Sequence, residues 1–226
     1  MKKSLNRILT LVCAGALWAP TLSMASAPST VNADEALKLL LAGNERFVAG
    51  TLNSVTRDEV AQRRTELVQG QKPFAIVLCC SDSRVGPEIV FDQELGNIFV
   101  VRTAGEVLDA AGIGSIEYAV AHLGSPLLMV LGHEHCGAVA AAVADAKEPG
   151  HIASIIKAIR PAVAKTKDRP GDPLQNAIQA NVHNIAARLE RTGPVLSEAV
   201  KAGRLKVMGA TFSLSTGKVE AVSDGP

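Results

Sequence analysis

Aromatic side chains are scarce in this sequence: 3% of 226 residues, with one Trp and one Tyr. So few rings argue against the stacking platforms on which proteins hold unpaired bases. Charge of one sign is missing too. Basic residues number 23 against 22 acidic, a net +1 with no basic stripe, so nucleic acid is not an expected partner. Four cysteines do not make a disulfide framework. No apolar run reaches the ~20 residues of a membrane span. Internal repeats, low-complexity tracts, a Walker motif, a serine elbow and a paired-carboxylate cleft are all absent.

The chain opens with "MKKSLNR", continues with the apolar "ILTLVCAGALWAP" and then supplies the small residues of "TLSMASAPST". That is the layout of a secretory signal peptide over residues 1–25, an uncleaved anchor being the alternative. Cleavage is expected after Ala25, because a cut after Ala27 would leave Pro28 leading the mature chain. Leu11 and Val12 before Cys13 argue against a lipid anchor there. The expected product, residues 26–226, is one exported domain, periplasmic or secreted, without a membrane span. Losing Lys2, Lys3 and Arg7 turns the net charge to −2 and leaves Cys79, Cys80 and Cys136. Two of those three are adjacent, so they need a purpose other than pairing.

Periodicity predicts an N-terminal helical arm. "ADEALKLLLAGNERFVAG" has Leu37, Leu40, Leu41 and Phe47 on one period, with Asp34 as its start signal and Gly50 at its end, and "RDEVAQRRTELVQG" is a second helix. The pattern then changes to short apolar runs, "PFAIVLCC", "NIFVVR", "PLLMVLG" and "LKVMGATFSL", which read as strands buried on both faces. Helical segments separate them at Gly112–Leu123, Gly137–Ala146, Ile152–Lys165, Pro173–Arg191 and Pro194–Ala202, with a surface loop at "KTKDRPGDP". "STGKVEAV" reads as a turn and an antiparallel edge strand. The fold class is α/β: a mainly parallel central sheet flanked by helices, with an antiparallel C-terminal edge strand and an N-terminal helical arm.

Ligands of open α/β sheets bind at the carboxyl ends of strands. Two such ends are chemically unusual: Cys80-Ser81-Asp82-Ser83-Arg84 and "GHEHCG" with His133 and Cys136. If a helix opens after Gly132, the i, i+3 spacing puts His133 and Cys136 on one face. Cys80, His133 and Cys136 then make a donor set that suits zinc and leaves a fourth position open. Spacing alone weighs equally for buried cysteines acting as small hydrophobes. Asp82 could be a fourth ligand or accept a hydrogen bond beside the metal, with Arg84 gripping its carboxylate. Alternation along a strand sends Cys79 and Cys80 to opposite faces, so both cannot serve one metal. "GIGSIE" lacks the third glycine of a dinucleotide fingerprint and reads as a helix start, His122 and His151 read as ordinary histidines, and His135 is a weak candidate for a proton relay.

"CSDSR" followed some fifty residues on by "GHEHCG" resembles the β-class carbonic anhydrases, over about Ala36 to Val222. The resemblance implies one Zn2+ on Cys80, His133 and Cys136, an Asp82–Arg84 catalytic dyad, and a substrate pocket at Gln71, Phe99, Tyr118 and Gly137. It implies reversible hydration of carbon dioxide to bicarbonate and a proton through a zinc-bound hydroxide, with buffer taking the proton. It also implies a homodimer or higher homo-oligomer, the N-terminal helices embracing the partner and Gln71 and Tyr118 serving the other chain's zinc. Val77 stands where a second subgroup carries Trp with a bicarbonate site, so the chain is similar to the plant-like subgroup. It departs from the family at "RTAG", Arg102 to Gly105, and at Cys79. Alternatives are a carbonyl sulfide or carbon disulfide hydrolase on the same scaffold, a non-catalytic zinc-binding protein, and a redox protein using Cys79 and Cys80.

Overall fold

The computed structural model describes residues 31–53 and 56–222. The signal sequence read at residues 1–25, with its cleavage site and Cys13, lies outside the described residues.

Two helices come first among the described residues. In α1 (Ala33–Ala49), Asn32 and Glu35 form a capping box and left-handed Gly50 ends the helix. The cap is thus Asn32, two residues before Asp34. Helix α2 (Arg57–Glu66) has a Thr56–Glu59 capping box and buries no residue of its own, continuing into a 3-10 turn at Leu67–Gln69. Then come β1 (Ala75–Cys79), α3 (Pro87–Val90), β2 (Ile98–Arg102), a 3-10 turn (Ala104–Glu106), α4 (Ala110–Leu123) and β3 (Leu127–His133). The remainder is α5 (Gly137–Val143), α6 (Ile152–Thr166), α7 (Pro173–Arg191), α8 (Val195–Lys201), β4 (Lys206–Phe212) and β5 (Val219–Ala221). The one-turn α3, started by Pro87, was not foreseen, and α4 begins two residues early because Asp109 caps it through the Gly112 amide.

The strands lie in the order β2-β1-β3-β4-β5, parallel except for β5 against β4. The four apolar runs thus make the parallel sheet and "KVEAV" the antiparallel edge, as expected. After β1 the chain steps outward to β2, then returns across β1 to β3. That reversal makes the carboxyl ends of β1 and β3 a topological switch point, where an open sheet leaves a crevice.

Alternation sorts the core. Ala75, Val77 and Cys79 of β1 pack with Leu40, Phe91 and Leu131 on one face, while Ile76 and Leu78 pack with Ile116, Val182 and Leu189 on the other. Helix α1 approaches so closely that a Cβ on Gly43 would lie 1.7 Å from the Phe91 carbonyl oxygen. Its neighbour Asn44 is buried and fully used, donating to Val90 O (3.1 Å) and Gly217 O (2.8 Å) and accepting from Val219 N (2.8 Å). On the opposite face, Val182 of α7 fills the space that side chains at Gly132 of β3 and Gly209 of β4 would occupy, 2.5 and 2.7 Å from their hypothetical Cβ atoms.

Candidate metal centre

Both strand ends at the switch point carry the residues the sequence singled out. Cys80 follows β1 directly on the alternate face to Cys79, joining Cys136, Val139, Ile156 and Ile159 in a separate buried cluster. His133 is the last residue of β3 and fully buried. Cys136 is not on a helix face with His133, contrary to expectation. Strand β3 runs through His133, α5 starts only at Gly137, and a tight turn with His135 in the left-handed region (φ 54) folds Cys136 back. The convergence of His133 and Cys136 comes from that turn rather than helical spacing. Glu134 holds it: its amide donates to Phe212 O (2.9 Å), and its carboxylate accepts from Ser213 Oγ (3.2 Å) and Ser215 N (3.0 Å).

One donor atom each from Cys80, His133 and Cys136 lie within 4.8 Å of one another, all three residues buried. His133 Nδ1 donates to its neighbour's carbonyl, Glu134 O, at 2.9 Å. Its Nε2 is therefore the lone-pair nitrogen, and it is buried with no hydrogen-bond partner. Unpaired buried nitrogens are uncommon in folded proteins and call for a reason. Two sulfurs and an imidazole with a free lone pair match what a zinc ion requires: bond lengths of about 2.0–2.3 Å and tetrahedral angles need only a small contraction of such a cluster. The Cys136 thiol beside Cys80 lowers the Cys80 value, against burial, while the same contact and burial raise the Cys136 value.

Asp82 stands beside this cluster and outside it. Arg84 grips its carboxylate through Nε to Oδ1 (2.9 Å) and Nη2 to Oδ2 (2.7 Å), and the Arg84 amide adds a third bond at 3.0 Å. Asp82 Oδ2 lies 3.9 Å from His133 Nε2. The Arg84 hydrogen bonds hold the Asp82 carboxyl far below the usual carboxylate range. Arg102, at the end of β2, clamps the same turn by donating to Cys80 O (3.0 Å) and Asp82 O (2.8 Å). Nothing in "VVRTAG" marks that role, which depends on β2 lying beside β1.

Of the other expected site residues, Phe99 points to the same sheet face as Ile76 and is half-buried. Gly137 opens α5 beside Cys136, with open space where a Cβ would be. Gln71 and Tyr118 are exposed. Gln71 precedes β1, whereas Cys80 follows it, so the length of a five-residue strand, about 17 Å, separates them. One chain does not bring Gln71 to its own cluster. Sequence reasoning missed two polar residues behind the site, Glu106 and Asn181, both buried.

Cys79 is fully buried, and burial pushes its thiol up to about 12. Cys79→Ala is expected to keep the wild-type metal content while costing about 1 kcal/mol of stability for one lost buried sulfur. Metal analysis with thermal unfolding checks this, and loss of metal would show that the doublet acts as a unit.

A carbonic anhydrase family model matches residues 75–219. Carbonic anhydrase 2 of Mycobacterium tuberculosis is 42% identical over 195 residues, covering 84% of this chain and 93% of that protein. A carbonic anhydrase of Mycolicibacterium smegmatis is 39% identical, covering 82% and 91%. Among solved structures, the Coccomyxa β-carbonic anhydrase in complex with acetazolamide is 25% identical with a TM-score of 0.65, covering 73% of this chain and 80% of that one. A tetrameric β-carbonic anhydrase of Sordaria macrospora shares the fold at 23% identity and a TM-score of 0.67, covering 84% and 98%.

Proposed function

The chain belongs to the β-carbonic anhydrase family, and on that premise we propose that it is a zinc enzyme interconverting carbon dioxide with bicarbonate and a proton. The observation that carries this reading is the partnerless Nε2 of buried His133, grouped with two cysteine sulfurs. Bound zinc supplies the Lewis acid that makes water a nucleophile near neutral pH. Cys80, His133 and Cys136 would hold the ion and leave one position for the reactant. Asp82, kept ionised by Arg84, is an acceptor only, so it takes a hydrogen bond from the attacking oxygen and turns that oxygen's lone pair away from itself. Gly137 leaves room beside Cys136, and Phe99, level with Ile76 four residues before Cys80, would turn an apolar ring toward an uncharged substrate as the family resemblance implies. Gln71 and Tyr118 would complete the pocket of a second copy, which makes the working form a homodimer or larger. The signal sequence at residues 1–25 would export it.

Cys80 and Cys136, as thiolates, offset the metal's charge, so the rate should rise on the alkaline side of the pH ~7 seen at all-imidazole sites. Asp82 cannot be the source of that rise. A carboxylate whose folded-state value is depressed is already ionised throughout this range and loses its charge only in strong acid. Stopped-flow hydration of carbon dioxide, with zinc analysis of the same exported protein, is the test. Activity with about one zinc per chain, faster at about pH 8.5 than at about pH 6 with buffer in excess, is expected. A zinc-loaded but inactive protein would refute the activity, and a flat pH profile would refute the charge argument.

A further inference from the structure

The Cys80 sulfur accepts a hydrogen bond from the Gly105 amide at 3.4 Å. That amide belongs to a turn that the protein grips from its other side. Asn181 of α7 donates through Nδ2 to the Gly105 carbonyl at 2.9 Å and to Glu106 Oε2 at 3.4 Å. Asn181 is 3% exposed and Glu106 1%. Gly105 (φ 64) and Glu106 (φ 54) both occupy the left-handed region, which suits the glycine and strains the glutamate. The second carboxyl oxygen, Glu106 Oε1, is buried without a partner. A strained, buried, half-satisfied acid behind a ligand thiolate is unfavourable for folding, and none of the three proposed ligands requires it.

We propose that Asn181 and Glu106 are a positioning pair: by fixing the Gly105 peptide they keep its N–H on the Cys80 sulfur and set how much negative charge that ligand passes to the metal. The inference rests on the zinc-enzyme reading above. A donor on a thiolate draws charge from the sulfur, which leaves the metal a stronger Lewis acid. Both amide hydrogens of Asn181 are engaged, one by Gly105 and one by Glu106, so its side chain cannot turn without breaking both bonds. Space enforces the same geometry, since a Cβ on Gly105 would lie 2.7 Å from Ile159 Cδ1. Burial, reinforced by the negative charge at Cys80, pushes the Glu106 carboxyl well above the usual carboxylate range, so glutamine is its close neutral substitute.

The test compares zinc- and cobalt-loaded protein in the wild type and in Asn181→Ala, Asn181→Ser, Glu106→Leu and Glu106→Gln. Both Asn181 variants are expected to move the sulfur-to-cobalt charge-transfer band to longer wavelength and to weaken zinc binding roughly tenfold. They should also raise the midpoint of the pH–rate profile by about half a unit. The Asp82 amide also bonds to Cys80, so the shift is partial. Glu106→Leu should move the band the same way, and Glu106→Gln should leave it in place. Should Asn181→Ala not fold, Asn181→Ser and Glu106→Leu carry the comparison. Variants that melt earlier but keep the wild-type band and zinc affinity would make the pair purely structural and overturn the proposal. Metal-loaded wild type without hydration activity would refute the enzyme reading and leave the spectral result standing. A wild type that takes up neither metal would overturn both.

Discussion

Cys80→Ser is expected to purify without zinc and to hydrate carbon dioxide at least about 100-fold more slowly, beyond the 10- to 100-fold range typical of residues that only support a ligand. The substituted hydroxyl does not ionise near neutral pH and offers no thiolate. Only His133 and Cys136 would remain, and a catalytic zinc needs three protein ligands. The change also replaces the sulfur that faces the Gly105 amide and the Cys136 thiol with a hydroxyl oxygen on a shorter bond, which accepts hydrogen bonds without carrying a thiolate's charge. Folding should survive, because serine is no larger than cysteine and Cys80 sits at a strand end rather than within the ladder. Zinc content and circular dichroism of the same sample decide the matter. Full zinc occupancy in folded Cys80→Ser would remove Cys80 from the ligand set.

Gly43→Ala should have the largest effect on the fold. In an open helix this substitution stabilises by up to about 1 kcal/mol. Here the sign reverses, because the added carbon would sit 1.7 Å from the Phe91 carbonyl oxygen and 2.6 Å from its carbon. Backbone atoms cannot swing aside as a side-chain tip can, so α1 must lift. The expected loss is about 3 kcal/mol or more, at the upper end for overpacking. In a domain of this size that lowers the thermal midpoint by roughly 6–12 °C. The damage should travel further. Lifting α1 releases Asn44 from Gly217 and Val219, and the hairpin they belong to holds Glu134 through Ser213 and Ser215. Zinc affinity should therefore fall together with stability. An unchanged melting curve would show that α1 does not pack as described.

Which features were legible follows from how local their causes are. The four parallel strands appear as apolar runs because both sheet faces are covered, and "KVEAV" declares an edge strand after its turn. The metal cluster was legible because cysteine and histidine at strand ends are rare enough to be noticed individually. The mode of convergence was not, since i, i+3 spacing fits a helix as well as the turn at His135 that the chain adopts. Asn181 and Glu106 were hidden for a different reason. Asn181 is one of three asparagines on its helix, Glu106 follows a glycine in an ordinary-looking loop, and only a contact across 75 positions of chain reveals the pair. The sequence does not mark Gly43, whose missing side chain is what lets α1 dock.

The seating of Val182 between Gly132 and Gly209 has a mechanical consequence. Val182 lies midway along α7 at its closest approach to the two strands, so any tilt of the helix would turn about that position as its fulcrum. The ends of α7, nine residues either way, lie about 13 Å from the fulcrum at about 1.5 Å per residue, so a tilt of roughly 5° carries them about 1 Å. Asn181 is one residue from the fulcrum and would move only about a tenth as far. Motion at Pro173 or Arg191 is thus filtered out before it reaches the amide that holds Gly105, and two absent side chains on the sheet do the filtering.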